Sequence, residues 1–149
     1  MESAGAAELA ELAQRWRQME SAYGDSAIHR TFGLTLTVVG DGEVVVQAKV
    51  PDAAANRQGI VAGGVLAELV DSAAVQAART RLGSQDRAVT AELNLNFLRP
   101  ARTGGPLTAR GSLVDMTRSL AVGRADVRDD HDTLVAVGLV TVRLLRAPG

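Results

Sequence analysis

The sequence predicts an α+β fold, in which one long helix packs against an antiparallel sheet. Two runs of residues carry this prediction. From Val89 to Phe97, apolar and polar residues alternate strictly, as in a strand with one buried face. From residue 63 to 82, apolar residues recur at helical spacing behind Gly63-Gly64. Because a helix and a sheet each bury an apolar face against another element, the two runs predict a helix layer on a sheet layer.

The remaining elements follow along the chain. Residues 5–22 carry apolar side chains at helical spacing and predict an amphipathic helix that ends near Gly24. Two strand-like runs, 34–38 and 44–50, flank Gly40-Asp41-Gly42, which is a hairpin signal. Strands are also predicted at 88–98, 106–115, 119–129 and 133–145. We expect these last four strands to form an antiparallel meander, and residues 1–149 to form a single domain.

The strand run from Leu134 to Val142 is apolar on both faces. Such a pattern is typical of a strand that is covered on both sides. We therefore expect both faces of this strand to be covered.

Composition excludes several classes of protein. The net charge of −1, with arginines scattered along the chain, provides no basic surface for nucleic acid. The absence of cysteine excludes disulfides, thiolate nucleophiles and Cys-ligated metals. Acidic residues at Glu2, Glu8 and Glu11 do not suit a signal peptide, and no apolar run reaches the roughly 20 residues of a membrane span. We expect a cytoplasmic protein without nucleic-acid or membrane partners.

The long helix carries one carboxylate of special interest, Asp71. A helical wheel places the core stripe at Val65, Leu66, Leu69, Val70, Ala73 and Ala77, and the opposite face at Glu68, Ser72, Gln76 and Arg79. Asp71 falls outside the core stripe, beside the small or uncharged residues Ala67, Val75 and Ala78. It is either a solvated helix carboxylate or a carboxylate in a semi-apolar cleft, where its reactivity can be tuned.

The start of the helix is a second candidate feature. Gly63-Gly64 leaves backbone N–H groups unpaired at the positive end of the helix dipole, where they can polarise a carbonyl or hold an oxyanion. The simpler interpretation is a glycine-rich helix entry. Asp71 lies about 12 Å further along the axis, so one helix cannot bring both groups to one carbonyl. A catalytic interpretation therefore implies an active site shared between two subunits.

Two segments resemble a known family. Residues 56–73 resemble, at all but one of its specified positions, a pattern of Asn, two residues, Gly, two residues, His-Gly-Gly, and a carboxylate seven positions after the second Gly. This pattern is the signature of hotdog thioesterases related to the phenylacetate-degradation enzyme. Residues 92–101 resemble the third-strand segment of the same family, and the resemblance covers roughly residues 28–145. It implies an antiparallel sheet wrapped around the central helix at 63–82, with an extra N-terminal helix at 1–24, in a homodimer or a dimer of dimers.

The resemblance also implies roles for individual residues in hydrolysis of an acyl-CoA or related pantetheine thioester. Asp71 would be the nucleophile or the general base, and the Gly63 N–H of the partner subunit would polarise the carbonyl. Asn56 would contact the thioester or position a water, although an Asn in a loop commonly forms a turn. The implied substrate-binding residues are Gly64, Ala62, Glu68 and Val75, and the implied CoA-binding residues are Arg99, Pro100, Arg118 and Ser119. No metal or cofactor is expected, since coenzyme A is part of the substrate.

The chain departs from the family pattern at Ala62, where the pattern has His. Besides a hydrolase, this departure leaves open a protein that binds acyl-CoA without cleaving it. A hotdog hydratase is disfavoured, because that chemistry usually needs a His for proton transfer and the helix offers none. The two histidines of the chain, His29 and His131, are expected to face solvent and not to replace the missing imidazole.

Overall fold

The order of α-helices and strands along the described chain is the one that the sequence predicts, with one added helix. The computed structural model describes residues 2–148, with side chains from residue 5 onward; Met1 and Gly149, the ends of the predicted domain, lie outside the described residues. The helices are α1 (Glu2–Tyr23), α2 (Ala27–Thr31) and α3 (Gly63–Arg79). The strands are β1 (Thr35–Gly40), β2 (Glu43–Ala48), β3 (Arg87–Phe97), β4 (Leu107–Met116), β5 (Leu120–Arg128) and β6 (Leu134–Leu145). The short helix α2 was not predicted.

The six strands form one antiparallel sheet in the order β1-β2-β4-β5-β6-β3. The predicted hairpin at Gly40-Asp41-Gly42 joins β1 to β2. The predicted meander of the last four strands is wrong, because β3 pairs with β6 and not with β4. One edge of β4 is occupied by β2, with Val45 opposite Arg110, and the other by β5. The chain that leaves β3 therefore passes the positions of β6 and β5 before it enters the sheet as β4, and β3 is an edge strand.

Helix α3 lies very close to the sheet because small residues face each other across the contact. The predicted core stripe of α3 is buried, as expected. A Cβ atom at Gly111 of β4 would lie only 2.2 Å from the carbonyl oxygen of Ala73. At Gly123 of β5 it would lie 2.7 Å from the carbonyl oxygen of Ala74. These two glycines let the helix backbone approach the sheet more closely than any side chain would allow.

Strand β3 does not bury one face within the single chain, as its alternation had predicted. Val89 and Phe97 are 51% and 57% exposed, and only Ala88 and Leu95 are partly buried among its apolar residues. Two causes are visible: β3 is at the sheet edge, and a register shift between Thr90 and Glu92 breaks the alternation. The apolar pattern of β3 therefore describes a surface that one chain leaves open.

Strand β6 is covered on one face only, so the prediction of cover on both sides is wrong. Val140 and Val142 are fully buried beneath α3, whereas Leu139 on the opposite face is 50% exposed. Within residues 2–148, no second layer packs on that outer face of the sheet. The continuous apolar run of β6 thus exceeds what one chain can bury.

The second half of α1 attaches to the end of α3 and to the sheet. The side chains of Arg15 and Trp16 both donate to the carbonyl oxygen of Thr80, at 3.0 and 3.2 Å. The Val38 N–H donates to the Glu20 carboxylate at 2.7 Å. A search of residues 2–148 finds no helix with the length and hydropathy that crossing a bilayer requires.

Candidate active site

Asp71 lies on the partly exposed side of α3, beside the edge strand β3. The Thr90 hydroxyl of β3 donates to Oδ1 of Asp71 at 2.6 Å. This short, charge-assisted hydrogen bond orients the carboxylate and leaves Oδ2 available. Asp71 is therefore neither a freely solvated carboxylate nor a buried one, and it can meet a ligand that approaches along β3.

Thr90 is a site residue that the sequence analysis missed. In the strict alternation it belongs to the polar face of the strand, together with Glu92 and Asn94. The bulge between Thr90 and Glu92 reverses this assignment and turns Thr90 towards α3. No residue pattern predicts the bulge, so sequence periodicity alone could not identify the contact between Thr90 and Asp71.

The start of α3 is open, as its glycines predicted. Gly63 and Gly64 are exposed, and within the described chain their N–H groups find no hydrogen-bond acceptor. Ala62 occupies the N-cap position, where its methyl group makes no side-chain cap. A Cβ at Gly63 would lie 3.1 Å from the Phe97 ring, so a side chain there would crowd the ring. The helix entry is thus a pair of free donors at the positive end of the dipole.

Asn56 lies in the loop that leads to this helix entry, and it forms a turn. Its Oδ1 accepts the Gln58 N–H at 2.9 Å and the Ile60 N–H at 3.1 Å. Both bonds occupy the side-chain oxygen, so any contact with a substrate would fall to the Nδ2 amide group. The turn also holds the loop close to α3, because the Ala62 N–H donates to the carbonyl oxygen of Ala54.

His29 does not face solvent, and the expectation that it would is wrong. Helix α2 directs it against α3, where its Nε2 lies 3.5 Å from a carboxylate oxygen of Glu68. Its Nδ1 donates to the carbonyl oxygen of Tyr23 at 2.6 Å, and its ring stacks on the Tyr23 ring with 4.0 Å between centroids. His131, in contrast, is exposed in the turn between β5 and β6, as expected.

Glu68 and Ser72, assigned by the wheel to the outer face of α3, are both covered by these N-terminal residues. Ser72 is buried and hydrogen-bonded to the Tyr23 hydroxyl. Burial raises the pKa of the Glu68 carboxyl; His29 opposes this rise and the Asp71 carboxylate adds to it. Glu68, proposed as a substrate-binding residue, is thus engaged by His29, whereas Val75 remains partly exposed two turns beyond it.

The residues proposed to bind CoA lie at opposite ends of the sheet in one chain. Arg99 and Pro100 follow the end of β3, and Arg99 donates to the carbonyl oxygen of Leu134 at 3.0 Å. Arg118 and Ser119 form the exposed turn between β4 and β5. This turn lies near the beginning of β3, because the carbonyl oxygen of Ser119 accepts the N–H of Leu144, the residue that pairs with Ala88. One chain alone therefore does not bring the two pairs to one entrance.

The part of the chain that the structure describes contains no cluster of three or more His, Asp or Glu side chains suited to a metal ion.

Comparison with known proteins identifies the family of the chain. The family model described as the thioesterase superfamily matches residues 58–136. A Halobacterium salinarum protein, assigned as an esterase by inference, is 31% identical over 139 residues, which cover 86% of this chain and 91% of that protein.

Solved structures share the fold. The PaaI protein of the Escherichia coli phenylacetic acid degradation operon superposes with a TM-score of 0.78 at 23% identity, covering 90% of this chain and 94% of that one. A phenylacetic acid degradation-related protein of Ralstonia eutropha superposes with a TM-score of 0.74 at 28% identity, covering 78% and 89%. The chain therefore belongs to the thioesterase superfamily, with its hotdog fold, and thioester hydrolysis is its general class of reaction.

Proposed function

We propose that the chain hydrolyses acyl-CoA or related pantetheine thioesters to a carboxylic acid and a free thiol, with Asp71 as the reacting carboxylate. The observation that carries the proposal is the Asp71 carboxylate, oriented by Thr90 at 2.6 Å on an accessible side of α3. As a nucleophile, Oδ2 would attack the carbonyl carbon, expel the thiolate and leave a mixed anhydride for water to cleave. As a general base, it would take the proton of an attacking water.

The second part of the proposal is that the carbonyl is polarised by the Gly63 N–H of the partner subunit. In one chain, Gly63 and Asp71 are about 12 Å apart along the same helix, too far to act on one carbonyl. The free N–H groups at the start of α3 would stabilise the negative charge that develops on the carbonyl oxygen. Two chains in antiparallel arrangement would form two such sites, each with Asp71 from one chain and Gly63 from the other.

Strand β3 supplies a physical reason for this arrangement. It is an edge strand of eleven residues whose outer edge is unpaired among the described strands, with exposed apolar side chains such as Val89 and Phe97. Such an edge favours pairing with a second strand. We therefore propose that β3 pairs with β3 of a second copy, and that dimers of this kind can associate further into a dimer of dimers.

The contacts of β3 also suggest the register of that pairing. In one chain Thr90 contacts Asp71, and Phe97 lies beside Gly63. Counting the extra residue at the bulge between Thr90 and Glu92 in each copy, a two-fold axis at Asn94 would set Thr90 opposite Phe97 of the partner. This register would bring Asp71 to the partner's Gly63. It would also move Arg99-Pro100 of one chain towards Arg118-Ser119 of the other, so both pairs could line one CoA entrance.

Asp71 is the residue to test first. Purified protein should release free thiol from acyl-CoA esters, and Asp71→Asn should lose about a hundredfold or more in kcat/KM. Glu43→Gln, which removes an exposed carboxylate from β2, away from β3 in the sheet, is the matched control and should stay within about threefold. Equal rates for Asp71→Asn and the wild type would refute the assignment.

Subunit complementation tests the shared site. Gly63→Pro removes the N–H at the first helical position, where proline suits the backbone, and Gly63→Ala is its control, with the N–H retained. Mixed in equal amounts, Asp71→Asn and Gly63→Pro chains should regain about a quarter of wild-type activity, because half of the dimers would contain one intact site. No recovery after verified chain exchange would contradict a site built from two subunits.

Ala62 favours one alternative, an acyl-CoA-binding protein without hydrolysis. The family pattern has His at this position, and the exposed Ala62 methyl group neither donates nor accepts a hydrogen bond. Calorimetric binding of short, medium and aromatic acyl-CoA esters, combined with no thiol release from any of them, would support this alternative over the hydrolase. Hydrolysis without an added metal or cofactor, and a cytoplasmic location, stay predictions.

A further inference from the structure

We propose that His29 is a positioning residue for Asp71, and that it acts by neutralising Glu68, the carboxylate one helical turn before Asp71. The proposal rests on the proposed function, since it concerns the ionised form of the carboxylate that would react. Its evidence is the way in which the segment from Tyr23 to His29 packs onto α3 on both sides of Asp71.

Both ring nitrogens of His29 face hydrogen-bond acceptors. Nδ1 lies 2.6 Å from the Tyr23 carbonyl oxygen, which can only accept, so Nδ1 carries a proton. Nε2 lies 3.5 Å from a Glu68 carboxylate oxygen. An imidazolium beside a carboxylate, or a neutral ring that accepts from protonated Glu68, suits this contact, whereas the lone pair of a neutral ring would repel an ionised carboxylate. The pair has zero net charge in both of the arrangements that the contact favours.

Neutrality at this place matters because Glu68 and Asp71 share one side of α3. Residues three apart on a helix are neighbours, and like charges at that spacing repel each other. The side chains of His29 and Glu68 are only 15% and 21% exposed, so solvent screens the Glu68 charge weakly. Without the imidazole, an ionised Glu68 would favour the protonated, unreactive form of Asp71.

The pair is held in place by contacts that do not depend on its charge. The Tyr23 ring stacks on the imidazole, and the Tyr23 hydroxyl is hydrogen-bonded to Ser72, the residue after Asp71. The ionisable groups that face one another here are Tyr23 from α1, His29 from α2, and Glu68 and Asp71 from α3. Thr90 from β3 adds a neutral donor. The imidazole is therefore the one side chain in this group, among the described residues, that can carry positive charge.

A cycle of variants separates charge compensation from simple anchoring of the N-terminal segment. The midpoint of the acidic limb of kcat/KM against pH should rise by about 0.3 to 1 pH unit in His29→Gln, the range between an exposed and a half-buried like-charge pair. The double variant His29→Gln with Glu68→Gln should return to within about 0.2 unit of the wild type, because the repelling charge is gone. His131→Gln, which alters the exposed histidine, should leave the profile unchanged.

An anchoring role alone would lower the rate at every pH in His29→Gln, and Glu68→Gln would not restore it. That result, or an acidic limb that does not move in His29→Gln, would overturn the proposal.

A second test uses nuclear magnetic resonance and does not depend on catalysis. It compares Glu68→Gln with the wild type, so it remains informative if His29→Gln folds poorly. The chain has two histidines, so their imidazole ¹⁵N signals are readily assigned. In Glu68→Gln, the ¹⁵N chemical shifts of His29 should change while those of His131 stay the same, and unchanged His29 shifts would overturn the pairing. Absence of thiol release from the wild type would instead refute the proposed function and leave the ¹⁵N result to decide the pair.

Discussion

Tyr23 is the only tyrosine of the chain, so its ionisation can be followed by phenolate absorbance without interference. Its side chain is buried, with 5% of the residue exposed. Burial raises the pKa of Tyr23 to about 12; the hydrogen bond with Ser72 opposes this rise, and the Glu68 and Asp71 carboxylates add to it. We predict that Tyr23 stays protonated in the folded protein at a pH where a free tyrosine is ionised.

The size and sign of the effect on stability follow from this pKa. The rise from 10.0 to about 12 corresponds to about 2 to 3 kcal/mol in the free energy of unfolding. Because the folded pKa lies above the unfolded one, this contribution is fully present below about pH 10 and is lost as the pH rises through about 12. Tyr23→Phe cannot ionise, so it should escape the alkaline loss, although it leaves the buried Ser72 hydroxyl unpaired at every pH.

Two measurements check this prediction. After a rapid jump to about pH 11, only about a tenth of the phenol should ionise within the mixing time in the folded protein, whereas most of it should do so in urea-denatured protein. Urea unfolding, followed by the fluorescence of the single Trp16, should show a smaller alkaline loss of stability in Tyr23→Phe than in the wild type. Immediate full ionisation of the folded protein, or equal losses in both proteins, would refute the assignment of a buried, neutral phenol.

Three further predictions concern the helix and its contacts. Thr90→Val should lower kcat/KM in a thiol-release assay about tenfold, through loss of the hydrogen bond that orients Asp71, while Thr90→Ser stays within about threefold; equal losses would argue against the hydroxyl. Gly111→Ala should cost about 1 to 3 kcal/mol in urea unfolding by forcing the helix from the sheet, whereas Gly40→Ala, with open space around it, should cost under about 0.5. Because the folded pKa of Glu68 is raised, its protonated form stabilises the fold at low pH and this contribution is lost as the pH rises. Glu68→Gln should therefore gain stability relative to the wild type as the pH rises above the ordinary value of 4.5, and a difference that shrinks with rising pH would contradict this sign.

Apart from the short helix α2, the elements of the fold could be predicted because each has a local cause. The stripe of Val65, Leu69 and Ala73 has the helical period, and Asp41-Gly42 marks a tight turn whatever surrounds it. Sheet order has no such local cause. Whether β3 pairs with β4 or with β6 depends on which strand edges remain free after β2 has paired, and that is a property of the whole chain.

The candidate site divides in the same way. Asp71 and Gly63 could be found because their spacing on one helix is encoded in the sequence. Thr90 and His29 could not: Thr90 reaches Asp71 through a bulge that breaks its own alternation, and His29 reaches Glu68 only because α1 and α2 fold back onto α3. Tertiary packing, not local pattern, brings Thr90 to Asp71 and His29 to Glu68.

The least accurate predictions concern β3 and the outer face of β6, and they have a common physical origin. Both strands carry more apolar surface than one chain buries, as Phe97 and Leu139 show with half or more of their surface exposed. The apolar pattern of a strand reflects its burial in the complete oligomer, whereas the exposed fractions given above are those of a single chain. The proposed pairing of β3 with a second β3 would bury the first of these surfaces, and a dimer of dimers packed through the outer sheet face would bury the second. A monomer that stays monodisperse at high concentration, with thiol-release activity intact, would leave both apolar surfaces without a physical reason.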